Sequence, residues 1–445
     1  MRWNVASALL LLSLGCESPV HLDEAEKSPF EATLEDLASD DPDRRVYASG
    51  RLGRQTLTLR ERLQALTHAA LQPAADTFDQ DVGAQLVHAI GRQPDDDLLE
   101  TLERMFDDYS PLARESALEL IGSMRSRAAA ETWMRLVIAR LGSGRVPYLA
   151  TGSLDDEPRH PEVFLPTVLQ YIDDPQHGWN LALLGLHTCK SVPYGSLDLS
   201  TAAPVILARY QRHYDALRSM QSMAKTNDRF EDEAYAEHRA WASLLIDVMG
   251  CFQRRDVDAA LRSALGLRDS RLKYFALSTQ LRQGAYLKRK HVTDVASNPE
   301  TRAWLFEALR DAGRVEVMPS RYLAQAALAE SELVRWLIRP KNLGRAPDQV
   351  VLEDVVELDT HSNMGIVDYY VFRFQVSEPH WAADRGWMAG VAGGYRRDLV
   401  PTTESDGQVF SRFESIDARG AEDHVGNLDA LYQAWREGAE TYDYD

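Results

Sequence analysis

The feature that most constrains the fold is a segment that occurs three times in the first third of the chain. Each copy starts with a helix-capping Asp or Ser, continues with Ala and Leu or Ile at helical spacing, and ends in Leu-Gly or Ile-Gly. The copies end at Gly53, Gly91 and Gly122, so these glycines are 38 and then 31 residues apart. This spacing is typical of a two-helix unit, which must stack on its neighbours to bury its apolar face.

Residues that favour helix ends mark both boundaries of each copy. We expect Asp41, Asp79 and Ser110 to be N-cap residues, because their side-chain oxygens can accept hydrogen bonds from backbone N–H groups. The closing glycines are expected to adopt the left-handed conformation that ends many helices. Apolar residues at helical spacing also precede each copy, and they predict a partner helix for each.

The copies resemble HEAT-like repeats, in which Asp-Pro-x-Val-Arg, then Ala and then Leu-Gly mark the second helix of each pair. The matching positions are Asp41, Pro42, Arg45, Ala48, Leu52 and Gly53, with weaker matches at Arg114, Ala117, Ile121 and Gly122. Weaker copies lie at 174–186, 241–250 and 269–281. The resemblance implies an α-solenoid of antiparallel helix pairs over 29–340, whose extended surface suits a protein or peptide partner.

The periodicity changes after Pro347, where β-branched and aromatic residues become frequent. Four strands are predicted over 349–358, 369–376, 386–393 and 408–413, and a short helix over 428–435. The predicted fold is therefore mainly α: a HEAT-like α-solenoid followed by a small β-rich α+β domain over 347–438. An acidic tail over 439–445 is expected to be solvated.

Residues 1–15 have the features of an export signal, with Arg2 near the start and an apolar run too short to span a bilayer. Residues 12–16, Leu-Ser-Leu-Gly-Cys, resemble a bacterial lipobox, in which the cysteine is diacylated. The resemblance implies lipidation of Cys16, a tether over 16–28 and a location at a membrane of the bacterial cell envelope. The alternative is a plain secretory signal that is cleaved near this cysteine.

Charge and cysteine content exclude several classes of function. The chain has 68 acidic and 49 basic residues and a net charge of −19, which argues against a nucleic-acid partner. Three cysteines cannot form a disulfide framework or a Cys-rich zinc site. Cys189 and Cys251 could pair in an oxidising envelope, but buried free thiols are the favoured expectation. Zinc bound by His361, His380 and an Asp is conceivable, yet no metal or other cofactor is expected.

The sequence contains no complete catalytic motif, so we expect a protein that is not an enzyme. Ser222 and Lys225 have the Ser-x-x-Lys spacing of penicillin-recognising enzymes, but the companion Ser-Asp-Asn and Lys-Thr-Gly elements are missing from the sequence. The loop over 142–161 is the first place in the repeats to look for a site. The alternative is an envelope enzyme or small-ligand receptor, with its site in the C-terminal domain or at the junction of that domain with the repeats.

Aromatic residues in the C-terminal domain are the candidate partner-binding residues. They are Tyr369, Trp381, Trp387 and Tyr395. The region 341–445 has 20 acidic and nine basic residues, so a basic protein or peptide is its expected complement. The sequence thus favours a lipid-anchored interaction or scaffold protein, which binds a partner through its repeat surface and this domain.

Overall fold

The computed structural model of the chain describes residues 28–141, 149, 154, 159–193, 195–223, 232–359, 366–405 and 409–426. The signal, almost all of the tether, most of the 142–161 loop, the helix predicted over 428–435 and the acidic tail lie outside these ranges. The described chain is mainly helical, with a small antiparallel sheet near the C-terminus, as the sequence predicted. None of its helices is long and apolar enough to span a membrane.

The chain divides into two compact units, Met1–Met124 and Arg125–Asp445. The described part of the first unit consists of α1 (Pro29–Leu37), α2 (Pro42–Leu52), α3 (Leu59–Ala69), α4 (Val82–Gly91), α5 (Leu99–Met105) and α6 (Pro111–Ser123). Helix α2 packs on α4, and α4 packs on α6; helix α3 contacts α1, α4 and α5. Each helix therefore contacts the next but one along the chain.

None of the closing glycines of the three copies has the left-handed backbone that was expected, so this expectation is wrong. Gly53 has a right-handed backbone with φ −63°, and Gly91 is the last residue of α4. A Cβ on Gly53 would lie 3.2 Å from the Cβ of Ala89, and one on Gly91 would lie 3.9 Å from the Leu120 side chain. The missing side chain of Gly53 thus lets this helix end approach the matching helix of the next copy, whereas a Cβ at Gly91 would make only an ordinary contact.

Two of the three predicted N-caps are confirmed. Asp41 accepts a hydrogen bond from the Asp43 backbone N–H at 3.0 Å, and Ser110 caps α6 in the same way. The second copy differs, because the N-cap of α4 is Asp81 rather than Asp79: its Oδ1 accepts from the Ala84 N–H at 2.8 Å. Asp81 is fully buried. The sequence Asp-Gln-Asp offers two equivalent caps, and only packing selects between them.

The helices of the second unit continue the same pattern of contacts. They are α7 (Arg127–Ile138), α8 (Pro161–Val168), α9 (Gly178–Ser191), α10 (Ala203–Met223), α11 (Glu233–Met249), α12 (Arg255–Ala264), α13 (Ser270–Arg282), α14 (Arg289–Ala296), α15 (Pro299–Asp311), α16 (Ser320–Leu323) and α17 (Gln325–Leu337). Helices α9, α11, α13, α15 and α17 pack on one another in that order. In addition, α10 packs on α11, α12 packs on α13, and α14 packs on α15.

A four-stranded antiparallel sheet follows α17. Its strands are β1 (Gln349–Asp359), β2 (Ile366–Gln375), β3 (Met388–Arg396) and β4 (Val409–Phe410), in the order β1-β2-β3-β4, with the short helix α18 (His380–Ala383) before β3. One face, with Phe372 and Phe374, packs on Leu333 and Leu337 of α17. The described part of the fourth strand is shorter than predicted. Beyond it Phe413 has a left-handed backbone, with φ 55°, and Ser415 then forms a bridge with Met388 of β3.

Cys189 and Cys251 form a disulfide, which corrects the expectation of free thiols. Cys189 lies in α9, and Cys251 directly follows the C-cap of α11. These helices are neighbours in the stacked row, and the two Cα atoms are 5.8 Å apart, which is within the range that a disulfide requires. The sequence could not indicate this pairing, because it depends on which helix packs beside which.

Candidate functional site

The four aromatic residues predicted to bind a partner do not form one surface. Tyr395 is fully buried, and its ring centroid lies 5.9 Å from that of Tyr370 in the core beneath α17. Tyr369 is on the opposite face of the sheet, where it is partly buried against Val356 and its neighbours. Tyr395 is thus a core residue rather than part of an exposed face, because adjacent positions of β2 and the pairing of β3 direct these rings to different sides.

The two predicted tryptophans lie in the segment just before β3. Trp381, in α18, is 47% exposed, and its ring packs edge-on against Phe413 at 5.2 Å. Trp387 is partly buried, with the Arg373 guanidinium 5.1 Å from its ring centroid. Of the four candidates, Trp381 is therefore the residue with the most surface available to a partner.

The other residues considered in the sequence do not assemble a site in the described part of the chain. His361 and Lys225 lie outside the described residues, whereas His380 is exposed. The Ser222 hydroxyl donates a hydrogen bond to the Ser219 carbonyl at 2.7 Å. No group of three His, Cys, Asp or Glu side chains that could hold a metal occurs among the residues that the structure describes.

A cleft of about 700 Å³ lies on the repeat helices of the second unit. We call it the arginine cleft. Side chains from α11, α15 and α17, the first turns of α13 and α15, and residues 338–346 after α17 line it. Six arginines are among its lining residues: Arg239, Arg268, Arg271, Arg335, Arg339 and Arg345. Asp269 and Glu300 are the lining acids, so the cleft is rich in positive charge on a chain of net charge −19.

The first turns of α13 and α15 fix the floor of the arginine cleft. Asp269, 3% exposed, caps α13 by accepting hydrogen bonds from two backbone N–H groups, and it also accepts one from the Tyr235 hydroxyl at 3.0 Å. Asn298 caps α15, and its amide donates to the Ser270 hydroxyl at 2.7 Å. The Arg239 guanidinium lies 3.7 Å from the Asp269 carboxylate. These bonds hold consecutive repeats in register at the site.

Arg271 and Glu300 form an ion pair between consecutive helices. Burial raises the pKa of the Glu300 carboxyl, and the adjacent Arg271 guanidinium opposes this shift. Both side chains are partly buried, so water screens their interaction less than it would at the surface. The pair therefore gives the guanidinium a defined position at the cleft wall.

Arg335 lies in the last turn of α17, and Arg339 lies two residues beyond the end of this helix. The Arg335 guanidinium pairs with Glu332 at 2.7 Å and lies 5.2 Å from the Trp304 ring centroid, so it is held over an aromatic surface. Arg339 is exposed, and its side chain forms neither a hydrogen bond nor an ion pair with any described residue. Its charge lowers the pKa of Glu332, against the larger upward effect of burial on that carboxyl.

Sequence reasoning did not identify the arginine cleft. Its residues span positions 236–346, and only the stacking of four helices brings them together. One local signal was present: Arg335 and Arg339 are four positions apart in an otherwise acidic chain. Planar guanidinium groups bind carboxylate and phosphate oxygens through paired hydrogen bonds, so this arrangement suits the binding of an anion.

No family model, curated protein or solved structure matches the chain. Its proposed role therefore rests on the geometry of the described residues.

A second cluster of titratable and aromatic side chains lies between α10 and α11. The Nδ1 atoms of His213 and His238 are 2.9 Å apart, and the His213 ring stacks on Trp241 with a centroid distance of 5.7 Å. The Arg209 guanidinium lies 3.8 Å from the Trp241 ring centroid. A hydrogen bond between the two Nδ1 atoms requires one of them to lack a proton, so the pair cannot be doubly protonated in this geometry.

His213 has a lowered pKa in this cluster, and burial is the main cause. It lowers the pKa of His213 to about 4, and the nearby charges of His238, Arg209 and Arg212 add to this effect, whereas Asp173 opposes it. A histidine whose pKa is lower in the folded chain than in the unfolded chain favours folding when it is neutral. Its contribution is complete above the unfolded pKa of 6.5 and is lost as the pH falls from about 6.5 to about 4.

We expect His213→Gln to flatten the pH dependence of stability. The free energy of unfolding of the wild-type chain should fall more steeply than that of the variant between pH 7 and pH 4, by at most about 3 kcal/mol. Urea unfolding at several pH values measures this difference. His380→Gln, which changes an exposed histidine in the same unit, is the matched control and should leave the wild-type slope unchanged. Identical slopes for wild type and His213→Gln would contradict the assignment.

Proposed function

We propose that the protein is a lipid-anchored interaction protein of the bacterial cell envelope, which binds a protein or peptide partner through its helical repeats. The arginine cleft is the observation on which this proposal depends. Four consecutive helices of the stacked row line the cleft, so it belongs to the repeat surface rather than to one local loop. Its lining residues offer charged, aromatic and aliphatic groups, which are the groups that recognition of a polypeptide uses.

We further propose that the paired helices form HEAT-like α-solenoid segments within each unit. The stacking of α2 on α4 and α6, and of α9 through α17 in alternate order, supports this assignment. So does the close approach at Gly53, where the first copy of the motif packs on the second. In such repeats each unit contacts mainly its neighbours, which leaves long surfaces available for a partner.

Site-specific crosslinking in intact cells tests the proposed function. We would replace Ile338, which lines the arginine cleft, with the photoreactive residue p-benzoylphenylalanine, and would make the same replacement at Tyr286 as the control. Tyr286 is 80% exposed in the same unit but is not among the lining residues. A protein adduct formed from position 338 and not from position 286 is the expected result. Equal adducts, or none at 338, would contradict a partner in this cleft.

The lipid anchor at Cys16 belongs to the same proposal, and it is supported by the resemblance of residues 12–16 to a lipobox. Two acyl chains on one residue suffice for stable anchoring. Cys16→Ala should therefore move the protein from the membrane fraction to the soluble fraction, whereas Ser18→Ala, which keeps the cysteine, should not. Membrane fractionation that is unchanged in Cys16→Ala would remove the anchor from the proposal.

The C-terminal domain is a second proposed contact surface. Trp381 is its most exposed candidate residue, and the acidic composition of 341–445 favours a basic partner there. Binding to this domain should weaken as the salt concentration rises, because both surfaces are charged. Loss of binding in Trp381→Ala would support this role.

A small-ligand receptor is the second candidate function, and an envelope enzyme with a site in the same region belongs to this alternative. The volume of the arginine cleft, about 700 Å³, is in the range of small-ligand sites. The cleft also includes residues 344–346, shortly before β1 begins, which places it next to the junction of the repeats with the C-terminal domain. A small molecule retained in native mass spectra, together with no protein adduct from position 338, would favour this function.

A further inference from the structure

The charge of the arginine cleft differs from that of the chain as a whole. Six guanidinium groups and two carboxylates line it, on a protein with 19 more acidic than basic residues. Crowding of like charges costs free energy unless a counter-charge is supplied. Four arginines receive one from acids of the chain: Arg239 from Asp269, Arg271 from Glu300, Arg335 from Glu332 and Arg345 from Asp348.

Arg339 differs from these four, because its side chain forms no ion pair with any residue in the described ranges. It lies four positions after Arg335 and two residues beyond the end of α17, and both side chains line the arginine cleft. The first is held in place by Glu332 and Trp304, and the second is exposed. An incoming anion can therefore bind Arg339 without breaking an existing ion pair.

We propose that the arginine cleft binds an acidic peptide segment, with side-chain carboxylates on Arg339 and Arg335. This inference rests on the proposed function, and it names the chemistry of the partner at this site. Alternate side chains of an extended peptide lie about 7 Å apart on one side. Two carboxylates of such a peptide can therefore reach both guanidinium groups, which line the same cleft.

The apolar part of the cleft suits a peptide more than a free inorganic anion. Trp304, Ile338 and Pro340 line the same cavity as the arginines. Trp304 is partly buried and its ring centroid lies 5.2 Å from the Arg335 guanidinium, so a peptide bound to Arg335 would also contact an aromatic surface. Asp269 and Glu300 at the floor of the cleft repel a compact dianion, whereas a peptide can place its singly charged carboxylates away from them.

Binding of a fluorescein-labelled pentaglutamate peptide to the full chain in detergent tests the proposal. Arg339→Glu should weaken this binding at least tenfold, because it replaces a charge-assisted hydrogen bond with a repulsion. Arg321→Glu is the matched control. It makes the same change in net charge at an exposed arginine outside the cleft, and it should change the affinity less than twofold. Arg339 is exposed, so both variants should fold, which circular dichroism checks.

Three further measurements complete the design. A pentalysine peptide of the same length should not bind to the cleft, and raising the salt concentration from about 0.05 M to about 0.3 M should weaken pentaglutamate binding. Equal losses in Arg339→Glu and Arg321→Glu, or pentalysine binding that is also lost in Arg339→Glu, would overturn the proposal. So would tight binding of inorganic pyrophosphate with none of pentaglutamate, which would assign the cleft to phosphate.

The two proposals can fail separately. A crosslinked protein at position 338 together with no pentaglutamate binding would keep the proposed function and overturn an acidic partner. Binding of pentaglutamate that depends on Arg339, together with no crosslinked protein, would keep the chemistry of the cleft and overturn a protein partner in cells.

Discussion

Replacing Leu52 by Asp is expected to lower the free energy of unfolding of the first unit by about 4–6 kcal/mol. Leu52 ends α2, is 1% exposed, and belongs to the first copy of the repeat. The substitution removes the packing of a buried leucine, which alone costs about 3–5 kcal/mol. It also places a carboxylate in an apolar interior, where the charged form is strongly disfavoured. Urea unfolding followed by circular dichroism measures the loss.

Leu71→Asp is the matched control for this substitution. Leu71 lies in the same unit but is 72% exposed, so its replacement should change stability by less than about 0.5 kcal/mol. The comparison keeps the chemical change constant and varies only burial. Similar unfolding curves for the two variants would show that Leu52 is not in a packed interior, and that result would contradict the stacking of the first repeats.

The sequence could predict the helices and strands because their signals are local. Asp41 and Ser110 cap helices through bonds to residues two or three positions away, and alternation of strand residues around Phe372 is equally local. Gly53 shows the limit of this reasoning. Its predicted position at a helix end was correct. Its close contact with Ala89 of the next copy depends on how the helices pack, so the sequence alone could not show it.

The arginine cleft could not be predicted from the sequence for the same reason. Arg239 and Arg339 are a hundred positions apart, and they line one cleft only because α11, α13, α15 and α17 lie side by side. The aromatic residues of the C-terminal domain were assigned to a binding surface from their residue types alone, and part of that prediction was wrong. Tyr369 and Tyr395 are frequent types at binding surfaces, but a small sheet also needs large side chains to form its core, and Tyr395 has that role.

Removal of the disulfide is the other change from which we expect a large effect. Cys189 and Cys251 are 62 positions apart, so their bond closes a long loop and restricts the unfolded chain. For a loop of this length, the loss of chain entropy corresponds to about 4 kcal/mol of stability. The double variant Cys189→Ser, Cys251→Ser should lose a free energy of unfolding of this order, measured by urea unfolding without reductant.

The disulfide also connects stability with location. Disulfides persist in oxidising compartments, such as the periplasm, and are rare in the cytosol. Wild-type protein isolated from the envelope should therefore show no titratable thiol at these two positions after denaturation, and a reductant should lower its stability by about the same amount as the double substitution. The double variant is the control for the reductant, which should not affect it. Two free thiols at Cys189 and Cys251, or equal stabilities of wild type and variant, would contradict the paired state and with it this support for export.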